Sequence, residues 1–90
     1  MSEIQLIEIL GQGCPRCRQA HRVVQQVVRE AGLEVEVRKV ENMDRMIELG
    51  VLATPAIVVD GELRLTGRVP KPGRVRKLLG IEGQGSGREG

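Results

Sequence analysis

The chain has 90 residues and a formal net charge of +2, with 40% apolar and 29% charged residues. These are ordinary values for one globular domain. Phe, Tyr and Trp are all absent, which excludes the aromatic stacking platforms of single-strand nucleic-acid binders. The small net charge argues against nucleic acid in general. No apolar run approaches the roughly 20 residues that span a bilayer, so we expect neither a nucleic-acid nor a membrane partner.

The first half of the chain predicts a strand, a long helix and a second strand. Residues 4–10 are a β-branched run ending at Gly11, which is typical of a central strand. Residues 14–31 form a helix, because apolar residues recur there every three or four positions. Gly32 can end that helix. Residues 33–40 alternate in polarity, as in a half-exposed strand.

The second half predicts a short helix, a hairpin and a last helix. Asn42 can cap the short helix, which carries Met43, Met46 and Ile47. Asp60-Gly61 favours a type I′ turn between two strands, because that turn needs positive φ at both central residues. The predicted strands are Ala56–Val59 and Glu62–Thr66, and the last helix runs from Pro72 to Gly80.

These elements predict one α/β domain over residues 1–80, in the order β-α-β-α-β-β-α. The sheet is mixed and four-stranded, with helices on both faces, and its first two strands are parallel because a helix joins them. Residues 81–90 are mostly Gly, Gln, Ser and charged. We expect them to form a disordered Gly-rich tail, because they bury too little apolar surface to become ordered.

Cysteines mark the candidate site. The motif Cys14-Pro15-Arg16-Cys17 lies where the first strand passes into the first helix. Free N–H groups and the helix dipole stabilise a thiolate there, and Arg16 adds positive charge. Cys14 is therefore the predicted nucleophile. Cys17 lies on the apolar stripe of the helix, so it is predicted to be more buried and to act second.

Metal binding is the alternative interpretation of the same thiolates. Together with His21, four residues after Cys17, they could supply three soft ligands to copper or zinc. A structural zinc site takes four ligands, and the chain has no second cluster of Cys or His. We therefore expect no resident metal, and a soft-metal carrier remains the second hypothesis.

The N-terminus lacks the pattern of a signal peptide, so we expect a cytoplasmic protein, in which two cysteines work in redox chemistry or bind metal.

Three motifs together resemble the thioredoxin superfamily. They are Gly13-Cys14-Pro15-Arg16-Cys17, then Ala53-Thr54-Pro55-Ala56 before the third strand, and the Asp60-Gly61 hairpin followed by Gly67-Arg68. The resemblance covers about residues 3–80 and is greatest to small thioredoxin-like or glutaredoxin-like redox proteins of bacteria and archaea. It implies a thioredoxin-like fold and a thiol–disulfide oxidoreductase. Such a protein cycles a Cys14–Cys17 disulfide through a mixed-disulfide intermediate, with no other cofactor.

The resemblance also implies roles for other residues. Pro55 matches a cis-proline beside the active site, and Thr54 offers backbone groups to a docked substrate. Glu8, six residues before Cys14, matches a buried carboxylate that accepts the proton of Cys17.

The same resemblance implies the kind of partner. These are a disulfide-containing protein or small-thiol substrate and a separate reductase or dithiol as electron donor, and we expect a monomer. Gly67-Arg68-Val69 stands where glutaredoxins carry a glutathione-binding Gly-Gly pair, so the identity of the electron donor stays open.

Overall fold

A computed structural model describes residues 4–13 and 15–81. The predicted order is confirmed, with these elements in the described part of the chain: β1 (Leu6–Leu10), α1 (Pro15–Ala31), β2 (Glu36–Val40), α2 (Met43–Leu49), β3 (Ala56–Val59), β4 (Glu62–Thr66) and α3 (Pro72–Leu79). The strands lie in the order β2-β1-β3-β4. β1 is parallel to β2 and antiparallel to β3, and β3 is antiparallel to β4. No helix within these described ranges has the length and apolarity needed to cross a membrane.

Two strands begin later than the sequence pattern predicts. β1 begins at Leu6 rather than at residue 4, and the N–H groups of Gln5 and Leu6 donate to the Asp60 carboxylate instead of to a strand. β2 begins at Glu36 rather than at residue 33, because the N–H of Leu33 donates to the carbonyl of Val28 at the end of α1. Gln5 still contributes its carbonyl to β2, because it accepts a bond of 3.1 Å from the N–H of Glu36.

Helices cover both faces of the sheet. Ile7 and Ile9 of β1 face α1 and α3, and they pack with the valines of α1 and with Val75 and Leu79 of α3. Leu10 faces the other way, toward Met46 of α2. The larger core therefore lies between the sheet and α1 with α3, and it is built from aliphatic side chains alone. These residues are Ile7, Ile9, Ala20, Val24, Val27, Val28, Ile57, Val59, Leu65, Val75 and Leu79.

The hairpin turn has the backbone that its sequence predicts. Asp60 has φ 50° and Gly61 has φ 85°, so both central residues occupy the positive-φ region that a type I′ turn requires. The Asp60 carboxylate also accepts bonds from the N–H groups before and at the start of β1, at 3.0 and 2.9 Å. The turn residue thus ties the third and fourth strands to the beginning of the first.

Ile81, two residues after the end of α3, still packs against the domain. Gly80 ends the helix with φ 74°, and the N–H of Ile81 donates to the carbonyl of Arg76. Ile81, which the sequence assigned to the tail, is half-buried against the larger core. Residues 82–90 lie outside the described residues, and their predicted disorder stays a prediction.

Candidate dithiol site

A tight turn connects β1 to α1. The N–H of Gly11 donates to the carbonyl of Val40 at 3.0 Å, so the end of β1 stays paired with the end of β2. Gly13 has φ 78°, a conformation that glycine adopts without strain. The helix then begins at Pro15, a residue type that suits a first helical position because its φ is already helical. Cys14, the residue before it in the chain, lies outside the described residues.

Cys17 is buried in the first turn of α1, with only 6% of its surface exposed, as predicted. Its sulfur packs so closely on Gly11 that a Cβ at position 11 would overlap it, and the same Cβ would lie 2.9 Å from Cys17 Cβ. That Cβ would also lie 3.7 Å from Thr54 Cβ. Gly11, Cys17 and Thr54 therefore meet at one point. Sequence analysis treated Gly11 only as the end of a strand and missed its role in admitting the sulfur.

The segment that leads into β3 forms the second wall of the site. The Thr54–Pro55 peptide bond is cis, as the resemblance implied. Pro55 is fully buried, and its carbonyl accepts a bond of 2.9 Å from the N–H of Gly67, just beyond β4. Thr54 is half-buried and lies at the junction with Cys17. The fold thus brings the cysteine helix, the Thr-Pro segment and the loop after β4 together.

Arg16 links the cysteine helix α1 to the loop after β4. Its guanidinium Nη2 donates to the Gly67 carbonyl at 3.0 Å, which joins the first turn of α1 to the loop after β4. The sequence predicted that Arg16 stabilises a thiolate at Cys14. The structure places its guanidinium on a backbone carbonyl beside the Thr-Pro segment, and the partner carbonyl lies 51 residues away in the chain.

Glu8 is buried in β1, with 4% of its surface exposed, and it is directed to the α2 side of the sheet. Arg45 of α2 donates to both of its carboxylate oxygens, at 2.9 and 3.3 Å. Hydrogen bonds to Glu8 and then to Glu48 raise the pKa of Arg45. Sequence analysis missed Arg45, although a buried carboxylate requires a partner and α2 carries a single arginine. The predicted proton transfer between Glu8 and Cys17 stays a prediction.

An apolar groove of about 300 Å³ borders the site on the α2 side, and we name it the α2 groove. Among the described residues, three large apolar side chains are exposed: Met43 at 52%, Ile47 at 70% and Leu52 at 96%. All three line this groove, where they join Thr54 and Gln12. The full lining is Gln12, Met43, Met46, Ile47, Val51, Leu52, Ala53 and Thr54. The sequence predicted a short helix that carries Met43, Met46 and Ile47, and of these three residues only Met46 is buried.

His21, the third ligand of the metal-carrier hypothesis, is a half-buried residue of α1. Burial, and then the positive charge of Lys39, lower the pKa of His21. Over residues 4–13 and 15–81, no group of three or more His, Cys, Asp or Glu side chains is placed to hold a metal ion. The hypothesis also needs Cys14, which lies outside those residues.

A mixed sheet covered on both faces, with a buried cysteine in the first turn after β1 beside a cis-proline before β3, defines a thioredoxin-like protein. A profile of the thioredoxin domain family matches residues 5–80. The chain therefore belongs to the thioredoxin domain family, a family of thiol–disulfide oxidoreductases.

Archaeal relatives agree with this assignment. The chain is 37% identical over 73 residues to a thioredoxin of Methanothermobacter thermautotrophicus, across 81% of this chain and 95% of the relative. It is 31% identical over 74 residues to a thioredoxin of Methanocaldococcus jannaschii, across 82% and 85% of the two chains. A second thioredoxin of that organism is 32% identical over 81 residues, across 87% and 95%. The similarity thus extends over nearly the whole length of each relative.

Proposed function

We propose that the protein reduces disulfides by two-step dithiol exchange. The Cys14 thiolate attacks one sulfur of a substrate disulfide, forms a mixed disulfide and releases the other sulfur as a thiolate. Cys17 then loses its proton and attacks the Cys14 sulfur, which releases the second substrate thiolate. The products are a Cys14–Cys17 disulfide and a substrate reduced by two electrons. A separate reductase or dithiol returns the protein to its reduced form.

The position of Cys17 carries this proposal. Its sulfur is buried against Gly11, which also lies beside Thr54, so a large substrate has little access to it. It nevertheless lies in the first turn of α1, three residues after Cys14 in the chain. A thiol so enclosed is suited to an internal second step, whereas the first step requires an accessible thiolate. N–H groups in the first turn of a helix favour negative charge on the sulfur that attacks.

Substrate docking involves the walls of the site. Thr54 and Pro55 are proposed to contact the substrate backbone beside its disulfide. The α2 groove borders Thr54, and its volume of about 300 Å³ suits one or two aliphatic side chains. This groove favours a peptide or protein disulfide over a small thiol, because a small thiol has no side chain to place there.

Two charged residues have proposed supporting roles. Glu8 would accept the proton of Cys17, with Arg45 holding its carboxylate in place. Arg16 would contribute positive charge near the attacking thiolate while it holds the Gly67 carbonyl. Glu8→Gln tests the first role, and the readout is the pH profile of the second exchange step. A profile that does not change would remove Glu8 from the mechanism.

The proposal is tested by counting thiols in a single turnover. The reduced protein is mixed with an excess of a disulfide peptide, and thiols are then blocked and counted by mass spectrometry. Two thiols should disappear from each chain and two peptide thiols should appear. Cys14→Ser should release no peptide thiol, whereas Cys17→Ser should release one and keep the other peptide half attached. Release of two peptide thiols by either serine variant would contradict the two-step mechanism.

A further inference from the structure

Opposite charges are segregated along this chain. Residues 9–29 and 63–81 contain no Asp or Glu, yet they hold ten of the 14 lysines and arginines. The stretch between them, residues 30–62, holds eight Asp and Glu against three Lys and Arg. The chain, whose formal net charge is +2, therefore has two strongly basic segments and one acidic segment between them.

The helices of the two basic segments, α1 and α3, lie on the same face of the sheet, where they pack through the larger core. Along α1, Arg18, Arg22 and Arg29 are exposed, and their spacing of four and seven residues places them on one stripe of the helix. Lys71, Arg74 and Lys77 repeat every three residues at the start and along the outside of α3, and they are also exposed. We name the following set the basic face: Arg16, Arg18, Arg22, Arg29, Arg68, Lys71, Arg74, Arg76 and Lys77.

No carboxylate among the described residues forms an ion pair with this face. Within residues 4–13 and 15–81, the ion pairs join Arg38 to Glu36, Arg64 to Glu62, and Arg45 to Glu8 and Glu48. None of them includes a residue of the basic face. Its positive charges are therefore available to a partner, and their field adds because no opposite charge lies among them in the sequence.

The dithiol site lies at the edge of the basic face. Arg16 is bonded to the Gly67 carbonyl beside Pro55, and Arg68 follows Gly67 in the chain. On the other side of the site, a carboxylate lies next to Gly13. The Glu41 carboxylate lies 3.7 Å from where a Cβ on Gly13 would be. A protein whose disulfide reaches the site therefore meets arginines on one side, and the Glu41 carboxylate and the α2 groove on the other.

We propose that the basic face docks an acidic protein partner, one that carries carboxylates on one side of the disulfide exchanged at this site. This inference rests on the proposed oxidoreductase function and adds the charge and orientation of its partner. Complementary charge accelerates encounter and suppresses wrong orientations.

Other polyanions fit this face less well. A lipid surface would require apolar side chains among the basic ones, but the exposed large apolar residues of the described chain lie in the α2 groove. Single-stranded nucleic acid would require aromatic platforms, and the chain has no aromatic residue.

The test compares two synthetic peptides, each with one internal disulfide. They are identical except that four residues on one side of the disulfide are glutamates in one peptide and lysines in the other. The rate constant for reduction by the full-length reduced protein is measured at about 20 mM and 500 mM salt, between which screening removes most of the steering. We expect the glutamate peptide to react at least about fivefold faster at low salt and within about twofold at high salt.

Charge variants locate the effect. R22E/R74E reverses two charges of the basic face outside the dithiol site, and R38E/R64E makes the same change in net charge on the edge strands. R22E/R74E should lose most of the preference for the glutamate peptide, whereas R38E/R64E should keep it. Uncharged bis(2-hydroxyethyl) disulfide serves as the reference substrate, and both variants should reduce it at the wild-type rate.

The outcomes separate this inference from the proposed function. If the protein reduced none of the three disulfides, the proposed function itself would be overturned. Reduction of both peptides at equal rates at low salt would overturn only the acidic partner. An equal loss of preference in the two variants would show that net charge acts rather than the basic face, and would also overturn it. Tight binding of duplex RNA or phosphatidylserine vesicles at 150 mM salt, without any preference for the glutamate peptide, would assign the face to another polyanion.

Discussion

Gly11→Ala adds one methyl group at the point where Cys17 packs against the end of β1. The new Cβ would overlap the Cys17 sulfur and lie 2.9 Å from Cys17 Cβ, closer than Cβ atoms approach in proteins. Neither side moves easily, because the N–H of Gly11 is bonded to Val40 and Cys17 is part of a helix. Overpacking of this kind costs about 2–3 kcal/mol of unfolding free energy. For a domain of this size, that corresponds to a Tm lower by roughly 10–20 °C.

The assay for Gly11→Ala is thermal unfolding followed by circular dichroism, with both thiols kept reduced. Gly11 does not have a positive φ, so the added methyl acts by contact rather than by backbone strain. Gly32→Ala is the control for backbone strain without a contact, because its φ is 68° and no other part of the described chain lies within 4 Å of the added Cβ. In a Cys17→Ala background the cost of Gly11→Ala should fall by at least about 1 kcal/mol, since the sulfur is gone. An equal cost in both backgrounds would refute the packing argument.

The remaining predictions concern the buried ion pair, the groove and the histidine. Arg45→Met should lower the urea midpoint more than Arg38→Met does, because it leaves the carboxylate of Glu8 buried without a counter-charge, and adding Glu8→Gln should recover part of the loss. Leu52→Ser should raise KM for a peptide with an aliphatic side chain beside its disulfide about fivefold, with unfolding free energy changed by less than about 0.5 kcal/mol. His21 should titrate by NMR below the usual histidine pKa. Because its pKa is lowered in the folded state, stability should fall as pH drops below about 6.5 and show no His21 contribution above it.

Local sequence signals sufficed to predict the order of the elements of this fold, although β1 and β2 begin later than predicted. Apolar residues every three or four positions marked α1. The predicted apolar positions Cys17, Ala20, Val24, Val27 and Val28 are buried, whereas Ala31 at the end of the helix is exposed. Asp60-Gly61 predicted its hairpin, because few residue pairs adopt two successive positive φ angles. Local signals of this kind depend on a few neighbouring residues. The elements that they predict form in the structure because the local preference and the tertiary structure agree.

The sequence pattern could not predict contacts between residues that are distant in the chain. Arg45 pairs with Glu8 across 37 positions, and Arg16 bonds a carbonyl 51 positions away. No short-range spacing encodes either contact. In α2 the pattern marked apolar residues but could not tell that Met43 and Ile47 line an exposed groove, because a seven-residue helix has too few turns to define its buried side. Gly11 likewise shows its importance only when the sulfur of Cys17 is placed against it.

The most direct test of the central claim is to trap the mixed disulfide. Reduced Cys17→Ser and Cys14→Ser proteins are each mixed with one disulfide peptide, quenched in acid, and analysed by tandem mass spectrometry to locate the attached peptide. If Cys14 attacks and Cys17 resolves, Cys17→Ser should accumulate peptide on Cys14 in nearly every chain, because the thiol that releases it is gone. Cys14→Ser should remain almost unmodified, since the sulfur of Cys17 is buried against Gly11. Equal accumulation on both variants, or faster modification of Cys17, would contradict the assignment of the two cysteines.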